Sequence, residues 1–323
     1  MKSSGEFERI SRWLLPLAEA DSSLQDLQSS VLIANGDDAL AIRAPAPLVM
    51  SVDVAVADTH FPLNAQPADI ASKALRAALS DLGAMGARPW FYTLGLVMPR
   101  DLSDDWLQAF ATALRDENQR WHCQCLGGDL TRGKQLSIAV QVHGLCDYPL
   151  ARHGAKIGDQ LWVTGTLGGA SAGLPMALGE QLADSRLLDA FYRPSLPLEF
   201  MSALGGSATA AIDVSDGLVA DLNHLLSASR VGASITLDDL PLHPALCDHP
   251  QQGLTFALYG GEDYQVLFTA HPDQAETVLR LAGEHKQPVT CIGTIEQAAG
   301  LRASLDGQPH DLRDRNTGFD HFD

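Results

Sequence analysis

Apolar stretches of this 323-residue chain repeatedly stop at a short turn that carries aspartate and glycine. The pattern is clearest where Ala210 to Val214 reads as a buried strand, Ser215-Asp216-Gly217 breaks it, and a helix begins at Leu218. Acidic side chains recur at or beside other strand ends and turns: Asp37-Asp38, Asp53, Asp129 and Glu262-Asp263, with Asp81 late in an Ala-rich helix. Strand and helix patterns are mixed along the whole length without a strict strand-helix-strand series, which predicts an α+β fold. At roughly 150 residues per domain, the length suggests about two domains.

The acidity is lopsided, because 30 of the 40 acidic residues are Asp. A solvated helical surface would favour Glu, whereas Asp suits turns, helix caps and hard-metal sites. The formal net charge of −18 argues against nucleic acid or an anionic membrane as partner, since both would be repelled. With 46% hydrophobic residues the chain can fill real cores. No apolar run approaches the roughly 20 residues that span a bilayer. Glu6 and Glu8 stand where an export signal would be apolar, so a cytoplasmic protein is expected. Cys123, Cys125, Cys146, Cys247 and Cys291 lack zinc-ligand spacing and read as buried free thiols, with Cys123 and Cys125 on one face of a strand.

Hydrophobic spacing predicts a helix over 6–20, short strands at 29–34 and 39–43, and a strand at 48–57. A helix opened by Pro67 runs to about Met85, followed by a strand at 90–98 and a helix at 103–120. Strands at 122–126 and 135–145 flank Gly127 to Gly133, read as a compact loop. The aperiodic stretch 147–159 places a domain boundary near 150, giving domains 1–150 and 151–323. Beyond it, strands are expected at 161–164, 210–214, 233–237, 264–269 and 289–292. Helices are expected within 165–178 and at 218–229, 250–258 and 272–282, and the last twenty residues read as irregular.

Two loops carry most of the chemistry. In Asp213-Val214-Ser215-Asp216-Gly217, both carboxylates can face one ligand, Ser215 can bond an oxygen anion, and Gly217 permits close backbone approach. The helix start behind it offers amides to a phosphate. In Gly127-Gly128-Asp129-Leu130-Thr131-Arg132-Gly133, glycines expose amides, Asp129 can hold a metal, and Thr131 and Arg132 can contact phosphate. Converging carboxylates need an offsetting charge, and Mg²⁺ supplies it while keeping waters and substrate phosphates as further ligands. The chain has no P-loop, no GxGxxG after a strand and no HExxH. Gly165-Thr166-Leu167-Gly168-Gly169 reads as a strand-to-helix turn rather than a nucleotide loop.

In order along the chain, Gly5-Glu6-Phe7, Gly36-Asp37-Asp38, Ser51-Val52-Asp53, His60-Phe61, Ser80 to Ala87, Gly127-Gly128-Asp129, Asp213 to Gly217 and Gly260 to Tyr264 resemble the thiamine-monophosphate kinase family. The resemblance extends to the Gly318-Phe319-Asp320-His321-Phe322 tail, and single motifs are shared with the wider aminoimidazole-ribotide synthetase superfamily. It implies transfer of the γ-phosphoryl of ATP to thiamine monophosphate at a site holding several Mg²⁺ ions. It also implies a homodimer whose N-terminal strands build a barrel, and a C-terminal α+β domain with a mixed sheet that completes the active site. Matching residue by residue, the resemblance assigns metal positions to Asp38, Ser51, Val52, Asp53, Asp81, Asp129, Asp213 and Asp216. It assigns nucleotide contacts to Gly128, Asp129, Arg152 and Ser215, and substrate contacts to His60, Glu262 and Phe319. The chain departs from the family pattern at Ala34-Asn35 in the first turn and at Val52, which can offer a metal only its carbonyl.

The residues show no evident nucleophile, and the acceptor phosphate is already anionic, so direct in-line transfer is the expected route. A selenophosphate synthetase would want an N-terminal Cys and a hydrogenase-maturation relative a C-terminal one, yet the first Cys is Cys123 and the chain ends His321-Phe322-Asp323. A phosphatase with a nucleophilic Asp would want Asp where Ser215 stands. A non-catalytic nucleotide or metal sensor is the remaining alternative.

Overall fold

The computed structural model describes residues 5–18, 25–33 and 39–312. The chain divides into two compact units: Met1–Leu82 with Arg88–Asp147, and Gly83–Ala87 with Tyr148–Asp323. Strands and helices are mixed in both, so the fold is α+β. No helix among the described residues is long and apolar enough to cross a membrane.

The first unit begins with α1 (Glu6–Arg9), a wide helical turn over Ile10–Leu14 and a tight one over Leu15–Ala18. The regular helix expected over 6–20 is therefore broken into three short pieces. Then come α2 (Gln25–Ser30), the short antiparallel pair β1 (Val31–Ile33) and β2 (Ala41–Ile42), and β3 (Leu48–Val56). They are followed by α3 (Pro67–Ala84), β4 (Arg88–Met98), α4 (Asp104–Trp121), β5 (Gln124–Arg132) and β6 (Ser137–Leu145). Four strands form a sheet in the order β3-β6-β4-β5, in which only β4 and β5 run parallel. Rows such as Ala55, Ile138, Leu96 and Leu130 are buried, so one face of the sheet carries core. On the other face Leu48, Met50, Val52 and Val54 are exposed along the edge strand β3.

The expected loop over Gly127–Gly133 is instead strand as far as Arg132. Leu130 is buried and pairs with Leu96, which draws the segment into the sheet. The glycines serve an irregularity of the ladder between Tyr92 and Leu94. Gly128 adopts φ +151°, and a Cβ there would lie 1.9 Å from the Leu94 carbonyl oxygen. Cys123, Cys125 and Cys146 are buried free thiols as expected, whereas Cys247 is exposed and Cys291 half-buried.

Helices α3 and α4 are tied by a buried ion pair. Arg76 donates to both carboxylate oxygens of Glu117, at 2.8 and 2.7 Å, and both side chains are about as buried as core residues. Ser72 Oγ (3.1 Å) and Trp121 Nε1 (2.6 Å) donate to the same carboxylate. Helix α4 starts on Ser103, whose side chain accepts the Trp106 amide, with Asp104 and Asp105 at the positive end of the helix dipole.

The second unit runs β7 (Gln160–Thr164), α5 (Gly169–Ala177), α6 (Ser185–Tyr192), α7 (Leu198–Leu204), β8 (Ala210–Asp213), α8 (Leu218–Ser229) and β9 (Gly232–Thr236). It continues with α9 (Pro250–Tyr259), β10 (Val266–Ala270), α10 (Ala275–Glu284), β11 (Val289–Glu296), β12 (Gly300–Leu305) and β13 (Gln308–His310). The seven strands are ordered β13-β12-β9-β11-β7-β10-β8, antiparallel except for β12 beside β9. Alternation sends Leu161, Val163 and Leu267 into a core with α8, and Trp162, Val266 and Phe268 into a second core with α7 and α10. Both faces of this sheet are therefore buried. Helices α6 and α7 carry no sharp signal in the sequence. The tail is not wholly irregular, because β12 and β13 form a hairpin over Asp306-Gly307, both at positive φ.

The Arg76–Glu117 pair should show the asymmetry of buried charge. Arg76→Ala leaves Glu117 buried without its cation and should cost about 3–5 kcal/mol. Arg76→Met combined with Glu117→Leu should cost far less. Urea unfolding of the three proteins measures the difference, and equal losses would count against this account.

Candidate functional site

In the second unit, the apolar strand β8 delivers Asp213 at its end, and the chain turns through Val214, Ser215, Asp216 and Gly217 into α8. Gly217 has φ +110°, with Tyr259 and Gly260 backbone about 3 Å from where a Cβ would sit. The Gly-Gly-Glu-Asp segment runs alongside. Glu262 N–H donates to Ser215 O and Tyr264 N–H to Val214 O, both at 2.9 Å, and Val214 N–H donates to Gln265 O at 2.7 Å. Gly261 makes this possible, since a Cβ there would lie 2.1 Å from Ser215 O. Asp213, Ser215, Asp216 and Glu262, far apart in sequence, thus belong to one small region of the fold. Glu262 (φ 68°) and Tyr264 (φ 51°) hold the left-handed conformation without being glycine. Such strain is concentrated at functional sites.

Two further carboxylates shape this region: Asp221, to which the sequence assigns no role, and Asp263, which it places only among the acids of the Gly-Gly-Glu-Asp turn. Asp221 is buried in the first turn of α8, and its Oδ2 accepts the amides of Ser215 and Asp216, each at 3.0 Å. Burial pushes its pKa up to about 7, the charges of Asp213 and Asp216 push the same way, and the two amide hydrogen bonds oppose them. Its only sequence signal is an acidic residue in a helix's first turn. Asp263 is buried at the start of α5, accepting Gly168 N–H at 2.6 Å and Ala170 N–H at 3.2 Å. It is raised to about 7 mainly by burial, against those hydrogen bonds. The Gly165–Gly169 segment is a strand-to-helix turn, as the sequence predicts, and the Gly168 amide within it is taken by this internal carboxylate.

Arg152 is exposed and lies elsewhere. Its carbonyl accepts from Ser229 Oγ at 3.0 Å, at the C-terminal end of α8. Ser215 precedes the N-terminal end of that 12-residue helix, about 17 Å away by helix rise.

In the first unit, Ser51 and Asp53 share the face of β3 opposite to Val52 and Val54. Ser51 Oγ donates to Asp81 Oδ2 at 2.5 Å, which joins strand β3 to helix α3. Asp53 Oδ1 accepts the Val54 amide at 2.7 Å. His60 sits in the turn after β3, where its Nδ1 accepts the Val56 amide at 3.1 Å. Gly128 and Asp129 are exposed on β5. Asp129 lies in the row of Gly95, Ala139 and Val54, on the sheet face away from Ser51 and Asp53 and three strand spacings, about 14 Å, across. Asp38 and Phe319 lie outside the described residues, as do Asp37 and the rest of the His-Phe tail.

Among the described residues, no three His, Cys, Asp or Glu side chains stand together as a ready-made metal cage. The donor set nevertheless suits Mg²⁺, which binds through one or two carboxylates and completes its shell with water and phosphate oxygen. Burial is the main cause that raises Asp221, and the charges of Asp213 and Asp216 add to it, a repulsion that a hard cation would relieve.

Two family models match the chain: AIR synthase related protein, N-terminal domain, over residues 36–146, and the corresponding C-terminal domain over 156–306. The thiamine-monophosphate kinase of Escherichia coli (strain K12) is 40% identical over 331 aligned residues, covering 98% of each chain. The solved thiamine-monophosphate kinase of Stenotrophomonas maltophilia K279a superposes with a TM-score of 0.80 at 35% identity, over 90% of this chain and 98% of that one. A structure of AaThiL complexed with AMPPCP and TMP superposes with a TM-score of 0.75 at 29% identity, over 85% of this chain and 87% of that one.

Asp263 should leave a signature in the pH dependence of stability. Its folded pKa of about 7 lies above the ordinary carboxylate value, so folding retains a proton that the unfolded chain releases. Its contribution to stability is full at low pH, declines as pH rises from about 4 to about 7, and is flat above that. Asp263→Asn keeps an acceptor oxygen and cannot ionise. Relative to this variant, the wild type should therefore lose urea resistance between pH 4.5 and 7.5. A difference between the two that does not change with pH would contradict the assignment.

Proposed function

The chain belongs to the thiamine-monophosphate kinase family, a family of phosphotransferases, and we propose that it moves the γ-phosphoryl group of ATP directly onto the phosphate of thiamine monophosphate. The products are thiamine diphosphate and ADP. The observation that carries this reading is the lacing of the Val214 and Ser215 backbone, between Asp213 and Asp216, against Glu262, Tyr264 and Gln265. It joins motifs of the family across about fifty residues of chain and holds Glu262 in a strained conformation.

Phosphoryl transfer asks a protein for charge neutralisation and alignment rather than covalent chemistry. An anionic oxygen of thiamine monophosphate forms the new P–O bond while the bond from the γ-phosphorus to the β–γ bridging oxygen breaks. No general base of high pKa is required, and no phospho-enzyme is formed. Several Mg²⁺ ions held among Asp38, Ser51, the Val52 carbonyl, Asp53, Asp81, Asp129, Asp213 and Asp216 would neutralise phosphate charge, with Asp129 serving a different ion from Asp53. Gly128, Asp129, Arg152 and Ser215 contact the nucleotide in this reading, with the guanidinium of Arg152 suited to phosphate oxygens. His60 meets the acceptor as a hydrogen-bond donor, because its Nδ1 already accepts an amide hydrogen. Glu262 offsets the cationic thiazolium or bonds the pyrimidine, and Phe319 stacks on a ring. The domain roles follow: 1–150 binds ATP and Mg²⁺ and dimerises, and 151–323 completes the site.

The exposed face of β3 supports the dimer. Leu48, Met50, Val52 and Val54 form an apolar row on an edge strand, a surface that soluble chains ordinarily cover. Pairing with a second copy to close a barrel covers both the row and the edge.

Incubation with γ-labelled ATP and thiamine monophosphate should place label in thiamine diphosphate and none on the chain. Asp53→Asn and Asp213→Asn should each lower the rate by roughly a hundredfold or more, as removal of a main charge-stabilising group does. Acid-stable label on the protein would exclude direct transfer, and full activity in EDTA would exclude the metal.

Sedimentation at micromolar concentration should give about twice 34.5 kDa. Met50→Asp should shift the protein toward monomer. A monomeric wild type with full activity would refute the dimer.

A further inference from the structure

Asp221 does not behave as an ordinary helix cap. A cap accepts amides of the helix's own first turn, such as those of Val219 and Ala220. The Asp221 carboxylate instead reaches backward out of α8 and takes the amides of Ser215 and Asp216, both before the helix begins. On its other side the same turn is clamped by Glu262 N–H on Ser215 O. Ser215 and Asp216 are thus gripped from two directions, by a buried acceptor beneath and by a neighbouring strand-like segment alongside. The arrangement sets a third carboxylate among Asp213 and Asp216, an unfavourable choice if stability alone were at stake.

We infer that Asp221 is a positioning residue for the proposed transfer, fixing the backbone of Ser215 and Asp216 so that the Ser215 hydroxyl and the Asp216 carboxylate are aimed before substrate arrives. It does so without touching substrate itself. The inference rests on the phosphoryl-transfer reading above, and it concerns the acceptor oxygen of Asp221, not its charge.

Two substitutions separate these properties. Asp221→Asn keeps an oxygen where both amides can reach it, and Asp221→Leu fills the space without an acceptor. Asp221→Asn should retain most of kcat. Asp221→Leu should lose on the order of ten- to a hundredfold in kcat, the scale of a small misplacement of reacting groups. Its KM for thiamine monophosphate should change little, and amide exchange at Ser215 and Asp216 should accelerate while exchange in β7 and β10 does not. If Asp221→Leu fails to fold, Asp221→Ser replaces it, since its stem is too short to reach both amides. Unchanged exchange at the two amides overturns the inference, whatever the wild type's activity. Faster exchange with unchanged kcat overturns it too. A wild type without thiamine monophosphate kinase activity removes the phosphoryl-transfer reading, and the catalytic role of Asp221 with it.

Discussion

Burial of the Asp221 carboxylate beside two other acids is the constraint on which the site of the second unit depends. Asp213, Asp216 and Asp221 share one strand end and the helix turn that follows it, and Asp221 is only 2% exposed. Water cannot screen a group so placed, so backbone amides must do the work. The Ser215 and Asp216 amides point at the Asp221 carboxylate, and the positive end of the α8 dipole lies beside all three acids. These partners do not cancel the burial, and Asp221 remains a weak acid. A seven-stranded sheet with core on both faces supplies the rigidity to hold such a turn in place.

The first unit solves a similar problem with different means. Asp53 and Asp81 are half-buried, and neighbouring hydroxyl and amide donors serve them: Ser51 for Asp81 and the Val54 amide for Asp53. Asp81 depends on where α3 lies, and α3 is fixed to α4 by the Arg76–Glu117 pair. An ion pair deep in the unit therefore bears on a carboxylate near its surface. The outer face of the same sheet is apolar along β3, which is an incomplete surface for a lone chain in water.

Much of the site was legible because its motifs are local. In Asp213-Val214-Ser215-Asp216-Gly217, strand end, turn and helix start follow within a few residues, so hydrophobic pattern and glycine placement suffice. The α+β class was legible for the same reason, since helical and strand periods alternate plainly from Leu48 to Ile295. Pairing across strands was not. Gly127 to Arg132 looked like a loop because two glycines suggest a turn, and only the match of Leu130 to Leu96 makes it strand. The β12–β13 hairpin escaped because short polar strands carry little hydrophobic signal.

By itself the sequence determined the order of elements, the positions at which acids meet strand ends, and a resemblance that whole-chain similarity supports. Those properties depend on neighbouring residues or on composition, and a linear text records both. Tertiary structure decided which acids are buried, that Asp221 reaches backward under Ser215 and Asp216, and that Asp263 fills the start of α5. It also decided that Asp129 faces away from Asp53 and that Arg152 begins at the far end of α8 from Ser215. The reason is physical: desolvation and hydrogen bonding depend on distances through space, and residues far apart in the chain come within those distances only when the sheet and its helices have packed.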